Sequence, residues 1–190
     1  MTDERPTRKT DNMRIGRVSI PQARYFITLC TKSRKADLTN GAIAETIREC
    51  WREQHQSQDY VFHCGTIMPD HIHWLCTLGE RLNLAQIISK FKARTRTALA
   101  NHQLEWQRNY YDHRLRAEAV LEKFAKYIFL NPYRKQLISI NTEWPSWTLN
   151  KNYKPEFLAA LKSGAFPQAE WLANELPLNE LVAADLEPET

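Results

Sequence analysis

Three features of this 190-residue chain predict an α+β domain with a ferredoxin-like split βαβ antiparallel sheet and helices on one face. Short runs rich in aromatic and β-branched residues read as strands. Between them, apolar residues recur at helical spacing. The elements follow the order strand–helix–strand–strand–helix–strand–helix, and β-α-β-β-α-β is a compact solution for burying such faces.

Each element has a local justification. Residues 1–20 read as a flexible basic arm that carries Arg14 and Arg17. From Arg24 the run Tyr25-Phe26-Ile27-Thr28-Leu29-Cys30-Thr31 reads as a strand. Asn40-Gly41 punctuates, and Ile43, Ile47, Cys50 and Trp51 give residues 42–54 a helical stripe. Residues 60–68 read as a second strand, Pro69-Asp70 as a turn and residues 71–78 as a third strand. The clearest amphipathic helix spans residues 83–102, with Leu84, Ile87, Ile88, Phe91, Ala98 and Leu99 on one face and Lys90, Lys92, Arg94 and Arg96 flanking it. A short strand is expected between Trp106 and Arg116, then a helix over residues 117–130 that Pro132 stops, because the residue before a proline avoids the helical region. One domain over residues 21–150 and a C-terminal extension over 151–190 ending in an acidic tail complete the organisation.

Composition narrows the function classes. With 43% apolar and 25% charged residues, the chain can bury a core. No apolar run reaches the ~18 residues of a membrane span, and no secretory leader is expected. Cysteines 30, 50, 64 and 76 form no Cys-x-x-Cys pair, which speaks against a zinc knuckle or disulfide scaffold and for a reducing, cytoplasmic setting. No Gly-rich phosphate loop can be written with five glycines, so no nucleotide cofactor is expected. The net charge of +4 is unevenly spread: residues 1–35 hold nine basic and three acidic side chains, whereas residues 171–190 hold five acids and no base. A basic leading segment suits a polyanion, and it equally suits a solvated tail.

Two motifs carry chemistry. In His71-Ile72-His73 the alternation of a strand sends both imidazoles to one face, with Cα atoms about 6.5–7 Å apart, close enough to converge on one ion. The bland reading is two unrelated polar residues on an open sheet face. In Tyr127-Ile128-Phe129-Leu130-Asn131 the tyrosine and asparagine are i, i+4 neighbours on a helix. Tyr127 there is either a core aromatic or a phenolic nucleophile toward a phosphodiester.

Taken together, Met68-Pro69-Asp70-His71-Ile72-His73, then Trp106-Gln107-Arg108 with Tyr111-Asp112-His113, then Tyr127-Ile128-x-x-Asn131-Pro132-x-Arg134 resemble the REP-associated tyrosine transposases, which are single-tyrosine HUH transposases related to small insertion sequences. Trp144-Pro145-Ser146 matches the family's element after the tyrosine helix, and the resemblance covers residues 24–147. It implies a metal-dependent endonuclease and strand transferase that cleaves and rejoins single-stranded DNA at hairpin-forming palindromes through a 5′-phosphotyrosine. On this chain it implies Tyr127 as nucleophile and His71, His73 and Asn131 as ligands of a divalent ion, Mg²⁺ or Mn²⁺. His113 is assigned to proton transfer or phosphate contact, beside an equally open structural role. Arg14, Arg17, Arg24, Lys90, Arg94, Arg108, Arg114, Arg116 and Arg134 are the candidate DNA contacts. The branch implies a monomer, with dimers known among related insertion-sequence enzymes. Residues 133–137, Tyr-Arg-Lys-Gln-Leu, lack the glycine common in the family at that point. The alternative is a non-catalytic single-stranded nucleic-acid-binding module on the same sheet.

Overall fold

The computed structural model describes residues 18–116, 118–159, 161, 166–174 and 176–186. Five strands, β1 (Arg24–Cys30), β2 (Tyr60–Ile67), β3 (His71–Leu78), β4 (Tyr111–Leu115) and β5 (Trp147–Leu149), make one sheet in the order β4-β1-β3-β2-β5. Every pairing is antiparallel, as expected for the split βαβ arrangement. The helices α1 (Gly41–Gln56) and α2 (Leu84–Asn101) follow β1 and β3. Asn40 caps α1 by accepting from the Ala42 amide, and Asn83 and Gln86 close a reciprocal capping box at α2.

Strand alternation divides the molecule into two apolar layers. Tyr25, Ile27 and Leu29 of β1, with Ile72, Trp74 and Cys76 of β3, bury themselves under α1 and α2. Phe26, Cys64 and Leu75 point the other way, against α3 (Glu118–Arg134). Both crossover helices thus lie on one face, and the tyrosine helix lies on the opposite one. Gly65 fits where β2 passes Trp51: a Cβ there would come within 2.9 Å of the Trp51 ring and 3.0 Å of the His73 carbonyl oxygen.

The α3 boundary corrects the expectation that Pro132 ends the helix: α3 runs through the proline to Arg134. A proline in the last turn forfeits one backbone bond, and a closing motif offsets the loss. Leu137 N donates to Pro132 O (3.0 Å), and Gln136 N donates to Tyr133 O (2.9 Å). Gln136 takes the left-handed conformation at φ 54°, the position where glycine is the usual choice. Asn131 therefore stays helical, buried one turn after Tyr127.

Strand β5 was not anticipated. It pairs with β2 through Trp147, Thr148 and Leu149. Beyond it, α4 (Glu156–Ala159), α5 (Ala169–Asn174) and α6 (Leu178–Leu186) pack on the α3 layer, where Phe157 and Leu181 are buried and Trp171, Leu172, Leu178 and Val182 are partly buried. Leu176 is exposed.

Candidate active site

The α3 face of β3 carries the histidine pair. His71 and His73 are both buried, and their ring centroids lie 4.6 Å apart at 77°. Each Nδ1 is engaged: that of His71 with Asp70 Oδ1 (2.6 Å), that of His73 with Thr28 Oγ1 (2.8 Å) on the neighbouring strand. A carboxylate only accepts, so His71 Nδ1 is the donor to Asp70, and Nε2 is the nitrogen left to face a ligand. Burial, reinforced by His71, Arg34 and Lys135, holds the His73 pKa well below the usual imidazole range, which keeps the ring in the neutral form that binds metals. Asp70 is held below the usual carboxylate range, chiefly by its hydrogen bond with His71.

Helix α3 lowers Tyr127 onto this pair, with its ring centroid 5.9 Å from that of His73 and 6.0 Å from that of Phe26. Burial pushes the Tyr127 phenol up, while a hydrogen bond from Asn131 and the Arg134 guanidinium pull it down. That guanidinium stands 5.8 Å from the ring centroid. Asn131 is 4% exposed, and its Oδ1 has no hydrogen-bond partner. Thr66 Oγ1, on the residue paired with His73, is buried without a partner as well.

Among the described residues no group of three or more His, Cys, Asp or Glu side chains is placed to hold a metal. The residues that could hold one are two imidazoles and an amide, His71, His73 and Asn131. The orphaned Asn131 oxygen is what such an ion would satisfy, because a buried acceptor left unpaired costs free energy. Mixed nitrogen and oxygen donors suit Mn²⁺ better than Mg²⁺, which prefers oxygen.

The other predicted residues are placed as follows. His113 on β4 pairs with Phe26, whereas His73 pairs with Thr28, so His113 lies further along the sheet and on the strand beyond β1. Its Nε2 meets Asp185 Oδ2 of α6 at 2.6 Å, and its ring stacks on Phe124 at 5.5 Å. Asp185 also accepts from the Arg116 amide (3.1 Å), and Arg116 Nη1 reaches Leu186 O. Lys90 is paired with the buried Asp59 and Arg94 with Glu53, both in the α1–α2 layer across the sheet from Tyr127. Arg24 stands at the far end of β1 from the histidines; Arg108 and Arg114 are exposed. Arg134 donates to Leu176 O (3.1 Å) while lying over Tyr127. Arg14 and Arg17 lie outside the described residues. Sequence reading missed Asp70, Thr28, Thr66 and Asp185; only Asp70, which directly precedes the histidine motif, carried a local signal.

Residues 19–131 match the family described as Transposase IS200 like, a span that includes His71, His73, Tyr127 and Asn131. The chain belongs to the IS200-like transposase family. A Haemophilus influenzae protein designated a candidate REP-associated tyrosine transposase is 26% identical to this IS200-like transposase over 148 residues, covering 70% of this chain and 82% of the relative. A second, uncharacterised H. influenzae protein is 26% identical over 147 residues, covering 57% of this chain and 79% of its own length. Among solved structures, a REP-associated tyrosine transposase bound to a REP hairpin is similar in fold, with a TM-score of 0.59 at 20% identity, covering 70% of this chain and 79% of that one.

Proposed function

We propose that this transposase cleaves and rejoins single-stranded DNA at hairpin-forming, REP-like palindromes through a covalent 5′-phosphotyrosine on Tyr127, acting as a monomer in the cytoplasm. The observation that supports this reading above all is the approach of the Tyr127 ring to the paired imidazoles, with the buried, orphaned Asn131 oxygen one helical turn after the tyrosine. The relatives support the substrate class, since one structural neighbour is bound to a REP hairpin.

In this reading the Tyr127 oxygen attacks the scissile phosphorus. A P–O bond to tyrosine forms, the bond to the 3′ oxygen breaks, and the departing strand leaves with a free 3′ hydroxyl once that oxygen is protonated. Reversal by a 3′ hydroxyl rejoins DNA without an external energy source. Asn131 orients the phenol by donating to it, and Arg134 favours the phenolate and offers charge to phosphate. His71, His73 and Asn131 would hold a divalent ion, Mn²⁺ or Mg²⁺, whose chemistry is to polarise the scissile phosphate. Arg108 and Arg114, exposed on the surface, are proposed to contact the DNA backbone.

Incubation of the protein with a labelled hairpin oligonucleotide and Mn²⁺ tests this. The wild-type chain is expected to carry label on a denaturing gel, and Tyr127→Phe none. A labelled Tyr127→Phe band, or cleavage without any covalent adduct, would overturn the assignment.

A further inference from the structure

We propose that Asp70, steadied by Arg34, is the positioning residue that sets His71 for metal binding. The inference rests on the reading of His71 and His73 as ligands, and deepens it by naming what aims one of them.

The two imidazoles are supported unequally. His73 leans on a neutral hydroxyl, Thr28 Oγ1, whereas His71 donates to a carboxylate at 2.6 Å. The second oxygen of that carboxylate, Asp70 Oδ2, is held by Arg34 Nε at 3.0 Å. Arg34 is in turn fixed by its contact from Nη1 to Cys30 Sγ (2.8 Å), on the residue paired with His71 across the β1–β3 ladder. A chain of contacts thus runs Cys30–Arg34–Asp70–His71 and ends on the imidazole.

The backbone is shaped for this contact. After β1 the chain turns through Ser33 and Arg34, both in the left-handed region at φ 56°, where side-chain-bearing residues are disfavoured. The same turn is fastened to the residue it serves. Thr31 N and Thr31 Oγ1 both donate to Asp70 O, at 2.9 and 3.0 Å. Asp37 N and Leu38 N donate to Pro69 O, both at 2.9 Å. Two consecutive strained residues persist only where surrounding contacts over-determine them. Stability alone accounts poorly for the arrangement: the Arg34 and Asp70 side chains are 53% and 24% exposed, and ion pairs this open to water contribute little. Fixing the tautomer and direction of a ligand does account for it, because a carboxylate behind a metal-binding imidazole locks Nδ1–H, aims Nε2 and raises its basicity.

The test measures Mn²⁺ binding directly, by the loss of the free-ion electron paramagnetic resonance signal, on the full chain without DNA. Asp70→Ala is expected to weaken Mn²⁺ binding about 10- to 100-fold. Asp70→Asn, which keeps an acceptor oxygen, should recover part of that loss. Arg34→Ala, which leaves Asp70 in place, should shift binding in the same direction by less. In the adduct assay the Asp70→Ala defect should appear as a higher Mn²⁺ requirement, with the rate largely recovered at saturating metal. Thermal melts of all variants exclude unfolding as the cause, and the Arg34 and Asn variants serve if the alanine variant does not fold. Wild-type Mn²⁺ affinity in a folded Asp70→Ala, alongside lost binding in His71→Ala, would overturn the proposal and leave the ligand reading intact. Full Mn²⁺ binding by His71→Ala would overturn both.

Discussion

At the scale of single residues, the site combines groups whose sequence signals differ in range. His71 and His73 were legible because strand alternation alone puts them on one face, and Tyr127 and Asn131 because four residues close one helical turn. Thr28 and Thr66 were not, since each meets His73 through strand pairing that no local pattern encodes. Asp185 lies 72 residues from His113, so the pairing that occupies this histidine is invisible until the chain is folded. Asn131 is the residue whose chemistry depends most on its surroundings: its nitrogen serves the phenol while its oxygen has no partner. Asn131→Ala is therefore expected to slow Mn²⁺-dependent adduct formation at least about tenfold, with hairpin affinity measured in chelator within a few-fold of wild type. An adduct rate equal to wild type would remove Asn131 from the ligand set.

At the scale of elements, periodicity located every strand of the split βαβ unit and both crossover helices to within a few residues. It failed at the two places where tertiary context decides. Strand β5 has three residues, too few to show alternation, and exists because β2 offers it an open edge. Helix α3 passes Pro132 because the closing turn at Gln136 satisfies the terminal carbonyls. The strain at that turn is testable. Replacing Gln136 by glycine relieves the left-handed cost of roughly 1–2 kcal/mol and adds back up to about 1 kcal/mol of unfolded-state entropy. A net gain of about 0.5–1 kcal/mol in denaturant unfolding is expected, whereas Gln136→Val should be destabilising. The same closing turn keeps Asn131 in register with Tyr127, so Gln136→Val should also slow adduct formation.

At the scale of the whole molecule, the sheet separates a conventional two-helix core from a second layer built by α3 and the C-terminal helices, on the side of Tyr127 and the histidine pair. Asp185 clasps that layer to β4 through His113 and the Arg116 amide. Asp185→Ala leaves a buried ring nitrogen and an amide unsatisfied, and should cost about 1–3 kcal/mol in chemical denaturation. The layer is also sensitive to acid. Burial first, then Arg24 and His55, push the His63 pKa down to about 4 from an ordinary 6.5. The unfolded chain therefore takes up a proton near pH 6.5 that the folded chain refuses until about pH 4, so stability falls as pH drops through that window. His63→Gln, which retains a partner for Thr77 Oγ1, should flatten the decline measured as denaturation midpoint against pH; an unchanged slope would assign it to other groups such as His73.

The position of β3 has a further consequence. It is hydrogen-bonded on both sides, to β1 from His71 to Thr77 and to β2 from Ile72 to Leu78. The amides of that stretch should accordingly be among the last to exchange with deuterium, opening only when the entire sheet comes apart. Thermal fraying at the molecule's margins then leaves the spacing of the two imidazoles untouched, and the site keeps its geometry for as long as the fold itself survives.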